Sequence, residues 1–176
     1  MTFHRTAVLS LHPLAGTISH NPFHPYPQES RCPLTLRRIL LAETHSTFVG
    51  VVRIILKETM SALIMVADEP SLIEAVAGAQ FDLVIADLSF PVSSGENISR
   101  LLQRLNPELK SIILSVHDEL TVVDECFAAG TKGLVLKRTA STDLLAVLEA
   151  VLQGGTSISP AVGLKQEKKP NTIKFH

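Results

Sequence analysis

The sequence predicts a doubly wound α/β fold, in which a five-stranded parallel sheet carries helices on both faces. Three observations support this prediction. Five short apolar runs, each too short to be a helix, recur between residues 39 and 136. Each run precedes a segment whose apolar residues recur with the period of an amphipathic helix. The runs are apolar on both faces, which is typical of parallel strands that are covered on both sides.

The five strands and five helices alternate along the chain. The strands are predicted over residues 39–42, 62–66, 83–86, 112–114 and 134–136. The first helix is predicted by apolar residues at the 3.6-residue period, among them Phe48 and Val52, and the others by stripes over residues 72–76, 98–105, 120–127 and 144–152. Pro107, Gly130 and Gly154 follow the third, fourth and fifth helices, where such residues end helices.

Composition excludes several classes of protein. The chain has 176 residues, of which 45% are hydrophobic, and a formal net charge of -1. A charge this close to zero provides no general attraction to nucleic acid or to an anionic membrane. No apolar run approaches the roughly 18 residues of a membrane span. Two cysteines, Cys32 and Cys126, are too few for a disulfide framework. We therefore expect a cytoplasmic protein that itself binds neither nucleic acid nor membrane.

Three segments divide the chain. Residues 1–35 hold five of the ten prolines and four of the seven histidines and show no sustained period, so we predict a disordered or extra leader. The folded domain is predicted over residues 36–162. Residues 163–176 are predicted to form a basic tail, since they contain four lysines and one glutamate.

Polar residues follow each of the five predicted strands. Glu43 and Thr44 follow the first strand, and Asp87, Ser115 and Lys137 follow the third, fourth and fifth. Ligands of an open parallel sheet bind beyond the carboxyl ends of its strands, where the strand order reverses. We therefore expect these residues to share one pocket. The acidic residues 68 and 69 follow the second strand, which lies at the edge in a flavodoxin-like order 2-1-3-4-5, away from that pocket.

This set of residues suits a phosphoryl group. The carboxylate of Asp87 can attack phosphorus and form an acyl phosphate. A hard divalent cation, Mg²⁺ in the first instance, would lie between Glu43, Asp87 and the phosphate oxygens. Lys137 and Ser115 would bind the remaining phosphoryl oxygens by charge and by hydrogen bond.

In order and spacing, these motifs resemble the receiver domains of two-component response regulators. The similarity is greatest to the branch that usually carries a LuxR-type helix-turn-helix output domain, and it covers about residues 36–162. The motifs that carry it are residues 39–45, 82–91, 93–95, 112–118 and 128–137. The resemblance implies the CheY-like form of the flavodoxin-like fold, with five strands in the order 2-1-3-4-5 and five helices.

The resemblance also implies roles for single residues. Asp87 would be the phosphoacceptor, phosphorylated by a sensor histidine kinase with Mg²⁺ as cofactor. Ser115 would be the switch hydroxyl, and Lys137 would contact the phosphoryl group. Ser89 would give its backbone carbonyl to the metal, beside Glu43 and Asp87. Such a domain is not an enzyme; it signals to an output protein, here unknown, and members of the branch often form homodimers.

Three features depart from the family pattern. Receivers usually carry two adjacent acids after the first strand, but the second position, normally a direct metal ligand, is Thr44, which predicts weak or absent metal binding by that residue. The switch position on the fifth strand, usually Tyr or Phe, is Leu134. The residues after 162 are too few for a helix-turn-helix module of about 60 residues, so no DNA-reading element is expected here.

Two alternatives to the phosphoacceptor receiver remain. Thr44 and Leu134 are compatible with a pseudo-receiver, which would bind a protein partner without phosphotransfer. A flavin carrier or an enzyme on the same fold is the other alternative. Against the flavin carrier, residues 44–50 lack an early glycine that would let backbone amides close on a phosphate.

Overall fold

A computed structural model describes residues 37–163 of the chain. The predicted leader over residues 1–35 and the predicted tail beyond Gly163 lie outside the described residues. Strands and helices alternate as the sequence predicts. The elements are β1 (Arg37–Ala42), α1 (Ser46–Leu56), β2 (Met60–Val66), α2 (Glu69–Gly78), β3 (Leu83–Asp87), α3 (Ile98–Leu105), β4 (Ser111–Ser115), α4 (Leu120–Ala128), β5 (Gly133–Leu136), a 3₁₀ turn (Lys137–Thr139), α5 (Ala140–Leu152) and β6 (Ser157–Ile158).

All strands of the sheet are parallel, and their order is β2-β1-β3-β4-β5-β6. The doubly wound fold, the five predicted strands and their order 2-1-3-4-5 are confirmed. The strand count of five is wrong, because Ser157 and Ile158 pair with Gly133 and Leu134 as a sixth strand. The backbone N–H of Ser157 donates to the carbonyl of Lys132 at 3.0 Å, which covers backbone groups that would otherwise lie open along β5.

The sheet separates two hydrophobic cores. Side chains alternate along β1, so Leu40 and Ala42 belong to one core and Ile39 and Leu41 to the other. The prediction that all strands are buried on both faces fails for β2, where Met65 is 50% exposed. β2 lies at the edge of the sheet, so fewer neighbouring elements cover it.

Local interactions fix the start of α2 and the packing of α5 against the sheet. Asp68 begins α2 by accepting a hydrogen bond from the backbone N–H of Ser71 at 2.8 Å. In β5, a Cβ atom on Gly133 would lie 2.8 Å from Cγ1 of Val147, so glycine allows α5 to pack closely on the strand.

Within residues 37–163, no helix is both long and apolar enough to cross a membrane.

Candidate functional site

Three charged side chains meet at the carboxyl ends of β1, β3 and β5. Nζ of Lys137 lies 2.6 Å from Oε2 of Glu43 and 2.9 Å from Oδ2 of Asp87. Glu43 is 3% exposed and Asp87 2%, while the Lys137 side chain is 14% exposed. One ammonium group therefore bridges two buried carboxylates.

The electrostatics of Glu43 show how much the site depends on its partners. Burial by itself would raise the pKa of this carboxyl group, because the charged form loses its water. The hydrogen bond from Lys137 and those from His45 outweigh burial, and the pKa of Glu43 lies below its ordinary value. Glu43 is therefore a carboxylate at neutral pH.

An aromatic ring also lies close to the lysine. Nζ of Lys137 lies 4.8 Å from the centroid of the Phe48 ring, within the range of a cation–π contact. Phe48 belongs to the first turns of α1, and the sequence predicted it only as part of the helix stripe that faces the core. Its spacing suits that stripe, so the pattern alone did not distinguish a core residue from one at the rim of the site.

His45 also reaches the two carboxylates, a contact that was not predicted from the sequence. Its Nδ1 lies 2.8 Å from Oε1 of Glu43 and 3.8 Å from Oδ2 of Asp87. Its backbone N–H donates to the same Glu43 oxygen at 2.9 Å. Glu43, His45 and Asp87 thus offer three potential metal ligands within 4.8 Å of one another. The signal was available, because His45 lies only two residues beyond Glu43 at the end of β1.

Thr44 and Ser89, both predicted at the metal site, have lesser contacts with the charged cluster. Thr44 is exposed, and its Oγ1 lies 3.4 Å from Nδ1 of His45. The backbone N–H of Ser89 donates to Oδ1 of Asp87 at 3.2 Å, which holds the carboxylate in place. The metal-binding role that the resemblance implies for the Ser89 carbonyl stays a prediction.

Ser115 is buried at the end of β4, with its hydroxyl bonded within the loop that follows. Its Oγ accepts a hydrogen bond from the backbone N–H of His117 at 2.9 Å and donates to the His117 carbonyl at 3.0 Å. The structure thus places Ser115 at the predicted edge of the sheet, but its hydrogen bonds are to the loop.

The predicted switch position and the acids after β2 lie away from this cluster. Leu134 is fully buried in β5, between Ile113 of β4 and Ile158 of β6. Asp68 caps α2, and Glu69 accepts a hydrogen bond from the backbone N–H of Ser93 at 2.6 Å. Residues 68 and 69 therefore serve local structure, as expected from the edge position of β2.

Comparison with known proteins identifies the family to which this arrangement belongs. A family model described as "Response regulator receiver domain" matches residues 39–149. The chain belongs to the response regulator receiver domain family. Its matched residues include Asp87 and Ser115, which end β3 and β4, and Glu43 and Lys137, which directly follow β1 and β5. Receiver domains are signalling modules rather than enzymes in the ordinary sense.

Two curated relatives are described as transcriptional regulatory proteins. The transcriptional regulatory protein DegU of Brevibacillus brevis is 28% identical over 127 residues, which is 71% of this chain and 54% of DegU. UhpA of Escherichia coli strain K12 is 34% identical over 95 residues, which is 52% of this chain and 47% of UhpA. The chain thus spans about half the length of the curated relatives it matches.

Solved structures of similar fold are also response regulators. A LuxR-family two-component response regulator from Aurantimonas sp. SI85-9A1 has a TM-score of 0.65 and 22% identity, covering 73% of this chain and 93% of that one. The isolated receiver domain of RcsB from Salmonella enterica serovar Typhimurium, solved with a phosphomimetic, has a TM-score of 0.64 and 22% identity, covering 72% and 96%. These likenesses show the CheY-like fold.

Proposed function

We propose that this receiver domain, over residues 36–162, accepts a phosphoryl group on Asp87 from a sensor histidine kinase in the cytoplasm and signals to an output protein. Homodimer formation is part of the same proposal, and the domain does not act as an enzyme. The observation that carries the proposal is the buried Asp87 carboxylate beside the ammonium of Lys137, 2.9 Å away. A buried carboxylate next to a fixed cation suits nucleophilic attack on an anionic phosphorus centre.

The residues of the site divide the chemistry between them. One carboxylate oxygen of Asp87 forms a bond to phosphorus, the phosphorus–nitrogen bond to the kinase histidine breaks, and that imidazole leaves with the electron pair. Lys137 can offer its ammonium hydrogens to the phosphoryl oxygens once they replace its contact with Asp87. The N–H of Ser89, 3.2 Å from Oδ1 of Asp87, orients the nucleophile.

The donor set fits a divalent cation such as Mg²⁺. Glu43 and Asp87 are buried carboxylates whose oxygen atoms are the ligand type that Mg²⁺ prefers. These two side chains and the backbone carbonyl of Ser89 would hold the ion, with little from the exposed Thr44. When bound, Mg²⁺ supplies positive charge to the phosphoryl oxygens as charge develops on them.

Ser115 provides a link from the phosphoryl group to the loop after β4. To bind a phosphoryl oxygen, its hydroxyl has to leave the N–H and the carbonyl of His117, which it now bonds at 2.9 and 3.0 Å. The loop then loses the two bonds that fix its first turn. Phosphorylation of Asp87 would in this way change the surface that a partner contacts.

The test is intact-mass measurement after incubation with acetyl phosphate and Mg²⁺. We expect one labile phosphoryl group on the native chain and none on Asp87→Asn. Asp124→Asn, which changes an exposed aspartate of α4, is the matched control and should be modified like the native chain. If no adduct forms and beryllofluoride does not bind, the proposal is wrong, and a pseudo-receiver that binds a partner without phosphotransfer takes its place.

A further inference from the structure

The position of His45 bears on which metal ion the pocket accepts. The resemblance places a carboxylate ligand at the position held by Thr44, and the Thr44 hydroxyl is exposed. The next residue, His45, turns its ring back over the end of β1, so that Nδ1 lies 2.8 Å from Oε1 of Glu43. A nitrogen ligand is therefore present beside the two carboxylates of the pocket.

The spacing of these three side chains is suitable for joint binding of one ion. Ligand atoms about 2.1 Å from a shared transition ion lie about 3 to 4 Å from one another. Nδ1 of His45 is 2.8 Å from Glu43 and 3.8 Å from Asp87, close to that range without any rearrangement of the backbone. The hydrogen bond to the Glu43 carboxylate needs a proton on Nδ1, so ion binding requires the neutral ring to carry that proton on Nε2 instead; the side chain is 69% exposed, and water can accept the Nε2 proton.

We propose that His45, through Nδ1, takes the place of the missing acid as a metal ligand, so that the pocket favours a divalent first-row transition ion over Mg²⁺. Imidazole is a good ligand for such ions, whereas Mg²⁺ strongly prefers oxygen. The inference rests on the proposed function in that it concerns the same pocket, but ion binding does not require that phosphorylation occurs.

Lys137 and His45 face different oxygens of Glu43. Its ammonium is bonded to Oε2 of Glu43, whereas His45 faces Oε1, the other oxygen of the same carboxylate. An ion on the His45 side would compete with the lysine for Asp87 only at Oδ2, the atom that both approach.

The experiment is calorimetric titration of the full chain with Co²⁺ and, separately, with Mg²⁺, without any phosphodonor. The measured quantity is the ratio of the two dissociation constants. We expect His45→Ala to weaken Co²⁺ binding about tenfold or more while changing Mg²⁺ binding little. His117→Ala removes another exposed histidine, 3.7 Å from Glu119, and is the matched control that should leave the ratio unchanged. Thr44→Asp should strengthen Mg²⁺ binding and reduce the effect of removing His45.

Each outcome decides the inference. An unchanged ratio in His45→Ala, or an equal loss in His117→Ala, overturns it, and the same holds if Co²⁺ binds only histidines of residues 1–35. A second readout is the ¹⁵N resonance of Nδ1 during titration with Zn²⁺, which should shift for His45 and not for His117. Failure of acetyl phosphate to modify Asp87 while Co²⁺ still binds through His45 would contradict the proposed function alone.

Discussion

Replacing Lys137 by methionine tests what holds the charged cluster together. The Lys137 ammonium lies 2.6 Å from Glu43 and 2.9 Å from Asp87, and both carboxylates are buried. Methionine retains most of the apolar stem of lysine but removes the charge. Two buried carboxylates then face each other without their shared cation.

The cost of this change follows from the burial of the partners. Removing one member of a buried ion pair destabilises a protein by about 3–5 kcal/mol, because a buried charge remains unpaired. The Lys137 side chain is 14% exposed, so some water reaches the pocket and we take the lower end of this range. A loss of about 3 kcal/mol is a large fraction of the roughly 5–15 kcal/mol by which a domain is stable.

The loss should depend on pH in a defined direction. In the native protein the pKa of Glu43 is lowered despite burial, so its contribution to stability is present at neutral pH and disappears as pH falls through the folded-state pKa. Without Lys137, burial and the neighbouring Asp87 carboxylate both disfavour the charged form of Glu43, and only the hydrogen bonds from His45 still favour it, so we expect the pKa of Glu43 to rise above its ordinary value. The buried charge then costs stability at neutral pH, and protonation removes that cost. The difference between variant and native protein should therefore shrink as pH falls from 7 toward the unfolded pKa.

Urea unfolding at pH 7 and at about pH 4.5 measures both effects. Lys132→Met, which changes an exposed lysine just before β5, is the control and should alter the free energy of unfolding by less than about 0.5 kcal/mol. The reasoning is refuted if Lys137→Met is as mild as this control at pH 7, or if its cost is the same at the two pH values.

Two substitutions and one labelling experiment test contacts elsewhere in the domain. Ser159→Ala should cost about 1–2 kcal/mol in urea unfolding, because the Ser159 hydroxyl accepts the buried N–H of Leu136 at 3.1 Å; a neutral result would mean that water replaces it. Gly133→Ala should lower the free energy of unfolding by about 1–3 kcal/mol, because the added methyl group overpacks against α5. Gly78→Ala is the control and should change stability little, because its added Cβ meets nothing within 4 Å. Equal melting temperatures of the two variants would contradict the close approach at Gly133. The Cys126 thiol is buried and burial raises its pKa, so alkylation mapped by mass spectrometry should occur only on unfolding, and rapid labelling of the folded protein would count against this.

The fold could be predicted from the sequence because the buried strands appear as apolar runs and alternate with amphipathic helices along the chain. Strands such as β3 and β4 are buried at every residue, so their apolar runs are unambiguous. β6 could not be predicted in the same way. It has two residues, Ser157 is polar, and the strand forms because backbone groups of β5 are available beside it. For β2 the prediction of burial on both faces was wrong, because this strand lies at the edge of the sheet, where Met65 is half exposed.

The site was predictable in its backbone positions but not in its side-chain contacts. The ends of parallel strands meet at one edge of the sheet, which brings Glu43, Asp87 and Lys137 together, as predicted from their positions. Rotamer choices decide the rest. Ser115 lies at the predicted edge but bonds its own loop, and His45 turns back toward Glu43. These rotamers cannot be predicted from the apolar period of the sequence or from the order of the strands.

Although only one acid, Glu43, follows β1, both of its carboxyl oxygens have a partner. Its two carboxyl oxygens have different partners, His45 at Oε1 and Lys137 at Oε2. With His45 neutral, the two carboxylates and the ammonium leave one net negative charge, and an acid in place of Thr44 would add a second. The smaller negative charge attracts a cation less strongly, but it also repels an incoming anionic phosphodonor less. The substitution at position 44 therefore weakens one requirement for phosphorylation of Asp87 while easing another, so it does not by itself make the domain a pseudo-receiver.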